Sequence, residues 1–158
     1  IGVTLAALLF MKKVSDIGEK GMQVGTLAGF EGERPWEDET GFFSKFKDQI
    51  YIKHLYGPLF FGFTSHFKEQ VKIIGSDVKI LVIRMDRVPY MDQSGIYALE
   101  NAILELTLKD IKVILTGLQE QPRDLLLSID IIPDLVPEAQ VFPNMAESFE
   151  WLEKELTR

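Results

Sequence analysis

The hydrophobic pattern is dense and alternating from about residue 49 onward. Between Ile50 and Tyr56, even-numbered and odd-numbered positions define two faces, which is the period of a β-strand. Residues 78–85 and 112–118 are nearly continuous apolar runs, as expected of parallel strands that are covered on both faces. Val141–Phe142 is predicted to be a further short strand. The pattern therefore predicts a sheet of largely buried strands.

Amphipathic helices are predicted between and after these strands. Apolar residues recur at intervals of three or four over 63–74 and 94–108. A short helix is predicted over 121–130, with Pro133 beyond it, and Asn144 is expected to cap the last helix. Alternating strands and helices indicate an α/β domain, and a strand–helix–strand crossover makes its two strands parallel.

The first 17 residues differ in character from the rest. Eleven uncharged residues, Ile1 to Met11, are followed by Lys12 and Lys13. A helix of this length rises only about 16 Å, and a bilayer core requires about 20 apolar residues. Because the charges follow the apolar stretch, the pattern favours the last part of a transmembrane helix at the cytoplasmic side over a signal peptide. The alternative is a buried helix of a soluble protein.

Residues 18–48 are predicted to be a Gly-rich, acidic linker. They hold six of the twelve glycines, and the stretch 29–40 carries five acidic residues and one arginine. Such a composition is hard to fold alone. We expect Phe30 or Trp36 to pin the linker to the folded domain, which is predicted to comprise residues 49–158.

Composition excludes several kinds of chemistry. The chain has 17 Lys and Arg against 24 Asp and Glu, a net charge of −7, which disfavours nucleic-acid binding. Cysteine is absent and there are only two histidines, so neither thiol chemistry nor a Cys- or His-based metal site is expected. The turn from Gly57 to Gly62 has the glycine spacing of a phosphate-binding loop but lacks its lysine. His54 is predicted to be a satisfied, semi-buried residue rather than a catalytic base. We therefore expect no catalytic residue, no cofactor and no metal.

The most suggestive segment is RVPYMDQSGIYALE, residues 87–100. A buried strand ends, Pro89 turns the chain, and Asp92 or Ser94 caps a helix. A strand-to-helix turn of this kind can hold an anion at the positive end of the helix, or it can be a simple N-cap. The residues alone do not choose between the two. The candidate binding residues are Asp92, Gln93, Ser94 and Gly95, with Arg84 and Arg87 as nearby positive charges.

A strand followed by V-P-Y-M-D-x-S-G and an amphipathic helix resembles the signature of STAS domains, over roughly residues 49–157. The phrase G-P-L-F-F is typical of the sulfate-permease (SulP) branch, and the N-terminal IGVTLAALLFMKKVSDI resembles the end of the last membrane helix of SulP transporters. This resemblance implies the STAS fold, an α/β fold with a mixed, mostly parallel sheet of about four or five strands and about four to five helices.

The resemblance also implies a function. The domain is expected to be the non-catalytic, regulatory part of a SulP-type anion transporter, on the cytoplasmic side of the inner membrane. The expected partners are its own transmembrane domain, a second copy of the transporter, and a cytoplasmic protein, anion or nucleotide at the 87–100 turn. The alternative is a soluble module similar to anti-sigma factor antagonists. Those proteins carry a phosphorylated serine at the position of Gln93, so the phosphate switch is lacking here.

Overall fold

The computed structural model describes residues 9, 11–12, 23–26, 36–37, 39, 46, 48–60, 67, 71–72, 74–75 and 77–157. Within them, the strands are β1 (Gln23–Thr26), β2 (Ile50–Tyr56), β3 (Ile80–Arg87), β4 (Lys112–Thr116) and β5 (Val141–Phe142). The longer helices are α1 (Gln93–Leu108), α2 (Glu120–Ser128) and α3 (Met145–Leu156). Two short helical turns, Ile131–Leu135 and Glu138–Gln140, lie between α2 and β5.

The strands form one sheet in the order β1-β2-β3-β4-β5. β1 pairs with β2 in antiparallel fashion, whereas β2, β3, β4 and β5 run parallel to one another. The predicted parallel pair joined by a helix is therefore confirmed as β3, α1 and β4. The predicted mixed, mostly parallel sheet is confirmed as well.

Some boundaries differ from the prediction. β3 covers Ile80–Arg87 instead of 78–85, because Arg87 still pairs with Tyr56 of β2. α2 ends at Ser128 instead of continuing to residue 130. The cause is Asp130, whose φ of 60° lies in the left-handed region and cannot continue a right-handed helix.

An apolar core lies on each face of the sheet, and the two faces of β2 separate them as the alternation predicts. Tyr51 and Leu55 join the first core, which α1 covers, and Ile50 and Ile52 join the second, which α3 covers. The α1 residues in the first core are Ile96, Leu99, Ala102, Ile103 and Leu106. Burial of each large aliphatic side chain contributes about 1.5–3 kcal/mol, so these cores hold the helices on the sheet.

The sheet extends into the range that was predicted to be a linker. β1 lies within residues 18–48 and aligns Gln23 with His54. Phe46, also in this range, is buried in the second core. The sequence QVGT of β1 is polar and contains glycine, so it lacks the apolar alternation that predicts a strand. An antiparallel edge strand can form without this alternation, because it pairs through backbone hydrogen bonds.

Part of the prediction falls on residues outside the described set. In the range 1–17, only Leu9 and Met11–Lys12 are described, and they are helical and exposed. None of the helices in the described part of the chain has the length and apolar character needed to span a bilayer. Of the predicted helix 63–74, Phe67 and Val71–Lys72 are helical, whereas Ile74, which is also described, lies outside the helix. Phe30 lies outside the described residues.

Candidate functional site

The N-terminus of α1 is capped by Asp92, one of the two caps that the sequence allowed. Asp92 has an extended backbone (φ −93°, ψ 178°), and its Oδ1 accepts hydrogen bonds from the Gly95 N–H at 2.7 Å and the Ser94 hydroxyl at 2.6 Å. This is the N-cap geometry, in which a side-chain oxygen serves a free amide of the first turn. The positive end of α1 is therefore already faced by a carboxylate of the chain itself.

The two sequence motifs of this region pack directly against each other. The Gly57 N–H donates to the Arg87 carbonyl at 2.8 Å, and the Asp92 N–H donates to the Leu59 carbonyl at 3.1 Å. A Cβ atom at Gly95 would lie 2.6 Å from the same Leu59 oxygen. Only glycine permits this close approach of backbones. The G-P-L-F turn and the α1 loop, residues 88–95, thus form one structural unit.

Two glutamines that the sequence analysis did not single out hold the α1 loop and the end of β3 in place. Gln121 of α2 accepts from the Met91 N–H at 2.9 Å and donates to the Met91 carbonyl at 3.0 Å. Gln119 donates to the Asp86 carbonyl at 2.9 Å. A primary amide can satisfy both backbone groups of Met91, which the parallel bridge between Leu59 and Met91 does not use. Nothing in the hydrophobic pattern marks these glutamines.

The accessible part of this region is an aromatic patch, which we define as Tyr90, Gln93 and Tyr97. Tyr90 and Tyr97 are 45% and 48% exposed. The Gln93 amide donates to the Tyr97 hydroxyl at 3.2 Å, and the ring of Phe60 lies 5.9 Å from that of Tyr90. Of the predicted site residues, Gln93 is exposed, Asp92 and Ser94 are half-buried, and Gly95 is buried.

Arg84 does not join the other candidate residues. Ile83 and Met85 belong to the core under α1, so the strand alternation directs Arg84 to the opposite face of the sheet. There its side chain is 3% exposed and pairs with Glu39 and Asp86. Arg87 is exposed at the end of β3. An arginine inside an apolar strand signals a buried acidic partner, and this signal was present in the sequence.

On that opposite face lies a cluster that we call the clasp. It consists of the buried residues Glu39, His54 and Arg84 and the half-buried Trp36. Oε1 of Glu39 lies 2.8 Å from Nε2 of His54 and 2.7 Å from Nη1 of Arg84. Oε2 of Glu39 accepts from the backbone N–H of Trp36 at 3.1 Å. His54 is 2% exposed and hydrogen-bonded, which confirms the prediction of a satisfied histidine. Glu39 was not predicted as a site residue.

Trp36 closes the clasp from outside. Its ring centroid lies 4.1 Å from Cζ of Arg84 and 4.5 Å from Cζ of Arg87, distances at which a guanidinium is attracted to an aromatic face. Its indole N–H donates to the Tyr56 hydroxyl at 3.1 Å, and its ring lies 4.6 Å from that of His54. These contacts confirm the prediction that Trp36 anchors the segment before β2 to the folded domain.

The Arg84 guanidinium is shared between two carboxylates. The guanidinium of Arg84 contacts the Asp86 carboxylate with Nε at 3.1 Å and Nη2 at 3.2 Å, while Nη1 contacts Glu39. Burial raises the pKa of Glu39, but hydrogen bonds and charges from His54 and Arg84 outweigh burial, so its pKa lies below the ordinary value. Glu39 is therefore ionised at neutral pH.

Comparison with known proteins identifies the family. The family model described as "STAS domain" matches residues 44–148. The chain belongs to the STAS domain family.

The relatives of this STAS domain include transporters. The bicarbonate transporter BicA of Picosynechococcus sp. is 26% identical over 143 residues, which are 87% of this chain and 24% of that protein. The chain thus spans about a quarter of the length of this curated relative. The SulP transporter STAS domain from Vibrio cholerae has a TM-score of 0.61 and 28% identity, with 69% of this chain and 84% of that one covered. A sulfate transporter family protein from Wolinella succinogenes has a TM-score of 0.65 and 24% identity, covering 70% and 89%.

The STAS domain also has a groove of about 290 Å³ between α2 and β5. None of the predicted site residues lines it; its walls are Leu118, Arg123, Leu127, Ile132, Glu138, Val141, Phe142 and Pro143. Within the described part of the chain, no group of three or more acidic or histidine side chains is arranged to hold a metal ion.

Proposed function

We propose that this STAS domain is the cytoplasmic regulatory and docking domain of a SulP-type anion transporter. The observation that carries the proposal is the match to BicA, because 87% of this chain aligns with only 24% of a much longer transporter. The 28% identity with the SulP STAS domain from Vibrio cholerae supports the same assignment.

In this proposal, residues 1–17 are the end of a transmembrane helix, residues 18–48 connect it to the domain, and 49–158 are the domain itself. The transporter carries a small inorganic anion and lies in the inner membrane. It acts as a homodimer, and this domain faces the cytoplasm. β1 and the clasp support a connecting segment that is anchored on the sheet, so a movement of the membrane domain would be transmitted to it.

The aromatic patch is the proposed contact surface. Asp92, Ser94 and Gly95 shape the α1 loop from within, and Tyr90, Gln93 and Tyr97 present it to a partner. Tyrosine is enriched in protein interfaces because a large apolar ring carries a polar tip. The Asp92 carboxylate at the end of α1 disfavours a second anion there, so we propose a protein partner, the transporter's own membrane domain. The role is binding, not catalysis.

A partner regulates transport only through its differential affinity for the conformations of the transporter. The test is therefore anion uptake by the complete membrane protein. We expect Tyr90→Ser and Tyr97→Ser to change the uptake rate several-fold at an unchanged amount of protein in the membrane.

The matched control is Leu108→Ser. Leu108 is 89% exposed and lies at the other end of α1, so it changes an exposed apolar residue of the same helix outside the patch. Unchanged uptake in both tyrosine variants, or an equal change in the control, would remove the patch from the mechanism.

A further inference from the structure

The clasp has the construction of a binding site that is filled by the chain itself. Its donors lie on the sheet: His54 is in β2 and Arg84 in β3, in register with each other near the carboxyl ends of two parallel strands. Open α/β sheets bind their ligands at this end. The acceptor, Glu39, comes from the segment before β2 and enters between these donors.

The donors match a carboxylate-like oxyanion. Oε1 of Glu39 receives the Arg84 guanidinium and faces His54 Nε2 at hydrogen-bond distance, and hydrogen bonds between ionised groups are about twice as strong as neutral ones. Asp86 contacts Nε and Nη2 of Arg84, whereas Glu39 contacts Nη1, so the two carboxylates occupy different edges of the guanidinium. The exposed Arg87, stacked on Trp36, adds positive charge at the mouth.

An unused donor stands beside the clasp. Thr116 of β4 is in register with Arg84 and so belongs to the same cross-strand row. Its hydroxyl is fully buried and finds no hydrogen-bond partner among the residues that the structure describes. A buried hydroxyl without a partner costs about 1–3 kcal/mol. An oxyanion in this row would offer it an acceptor.

We propose that His54 and Arg84, with Thr116 in the same cross-strand row, form a binding site for a small carboxylate-like oxyanion, and that Glu39 occupies the His54–Arg84 part of this site in cis. A free oxyanion and Glu39 then compete, and binding of the free one releases the segment that carries Trp36. This inference goes beyond the docking function and does not depend on it. In an intact transporter, the same competition would couple the cytoplasmic concentration of an oxyanion to the attachment of the connecting segment.

The competition between Glu39 and a free oxyanion determines how much oxyanion is needed to displace Glu39. A short tether gives Glu39 an effective concentration of about millimolar or higher. Displacement in the wild-type chain therefore requires an oxyanion concentration of about millimolar or higher. Removal of the Glu39 side chain removes this competitor for His54 and for Nη1 of Arg84, so a lower concentration suffices.

The test is a titration of the 158-residue chain with sodium acetate, formate or bicarbonate, followed by NMR of the tryptophan indole N–H groups. Sodium chloride and sodium sulfate at equal ionic strength are the reference salts. The indole of Trp36 bonds to Tyr56 and reports on the clasp, whereas Trp151 packs against the second core and serves as an internal control. We expect Glu39→Ala to show a saturable, acetate-specific shift of Trp36 at a concentration at least tenfold below that for the wild type. Asp48→Ala, which removes an exposed acidic residue between Glu39 and β2, should behave as wild type.

If Glu39→Ala does not fold, Glu39→Gln keeps the side-chain volume and removes the charge, and the same shift is expected at an intermediate concentration. A Trp36 response that is equal in chloride and acetate would show screening by salt alone and would overturn the proposal. So would a Glu39 variant that folds and shows no acetate-specific shift. Neither result affects the docking proposal, whose uptake test leaves the clasp intact.

Discussion

The carboxylate of Glu39 and the guanidinium of Arg84 form a buried ion pair with a distance of 2.7 Å, although they are 45 positions apart in the chain. Both side chains are almost fully buried. The pair fastens the segment before β2 to the end of β3. Whatever precedes this segment in a longer protein would therefore be joined to the sheet at a defined point.

The stability of the domain is expected to depend on this pair. Removal of one partner of a buried ion pair leaves an uncompensated charge and costs about 3–5 kcal/mol. We predict that Glu39→Gln lowers the free energy of unfolding by about 3 kcal/mol, measured by urea denaturation at pH 7. The control Asp48→Asn removes an exposed carboxylate of the same segment and should stay within about 0.5 kcal/mol of the wild type. A Glu39→Gln variant as stable as this control would contradict the role of the clasp.

The same pair predicts a response to acid. Because the pKa of Glu39 in the folded state lies below its ordinary value of 4.5, ionisation of Glu39 stabilises the fold above about that pH. This contribution is lost as the pH falls from 4.5 through the lower folded-state pKa. Glu39→Gln should remove this part of the pH dependence. The comparison of wild-type and variant unfolding curves between pH 5 and 3 measures the difference; parallel curves would contradict the assignment.

Lys53 should make the domain more stable at alkaline pH. Its side chain is buried among apolar residues, with Nζ 5.5 Å from the Phe67 ring, and burial lowers its pKa to about 7. The unfolded chain holds this proton up to its ordinary pKa of 10.5, so the free energy of unfolding rises with pH between 7 and 10.5. We predict that Lys53→Met raises the free energy of unfolding at pH 7 by at least about 1 kcal/mol and flattens this slope. A variant less stable than wild type at pH 7, with an unchanged slope up to pH 9, would refute the prediction.

Gly95 should be intolerant of any side chain. A Cβ atom there would lie 2.6 Å from the Leu59 carbonyl oxygen, which belongs to backbone and cannot move aside cheaply. We predict that Gly95→Ala lowers the free energy of unfolding by about 1–3 kcal/mol, as overpacking of a core does. Gly75→Ala is the matched control, since nothing lies within 4 Å of its Cβ position. Equal unfolding midpoints for the two variants would show that the α1 loop adapts.

Local patterns were sufficient to predict β2 to β5 and the α1 loop, but not β1. The alternation of β2 separated residues of the two cores, and the D-Q-S-G sequence marked Asp92 as a possible cap, because both signals depend on residues a few positions apart. The contact between Gly95 and Leu59 joins the α1 loop to the G-P-L-F turn, which is a separate motif in the sequence. Their spatial proximity follows only from the parallel pairing of β2 with β3.

The clasp could not be predicted in the same way. Glu39 lies in a stretch with five acidic residues, and no local feature distinguishes the buried one from its exposed neighbour Glu37. Its partners are 15 and 45 positions away. Arg84 was grouped with the α1 loop because it is near in sequence, whereas the period of a strand places it on the other face.

The central claim, that this domain belongs to a membrane transporter, is tested most directly with an antibody raised against the domain. Cells of the source are fractionated, the membranes are washed with alkaline carbonate, and all fractions are blotted. The account predicts a band in the washed membranes at several times the 18.0 kDa of this chain. A band near 18.0 kDa that is confined to the soluble fraction would contradict it.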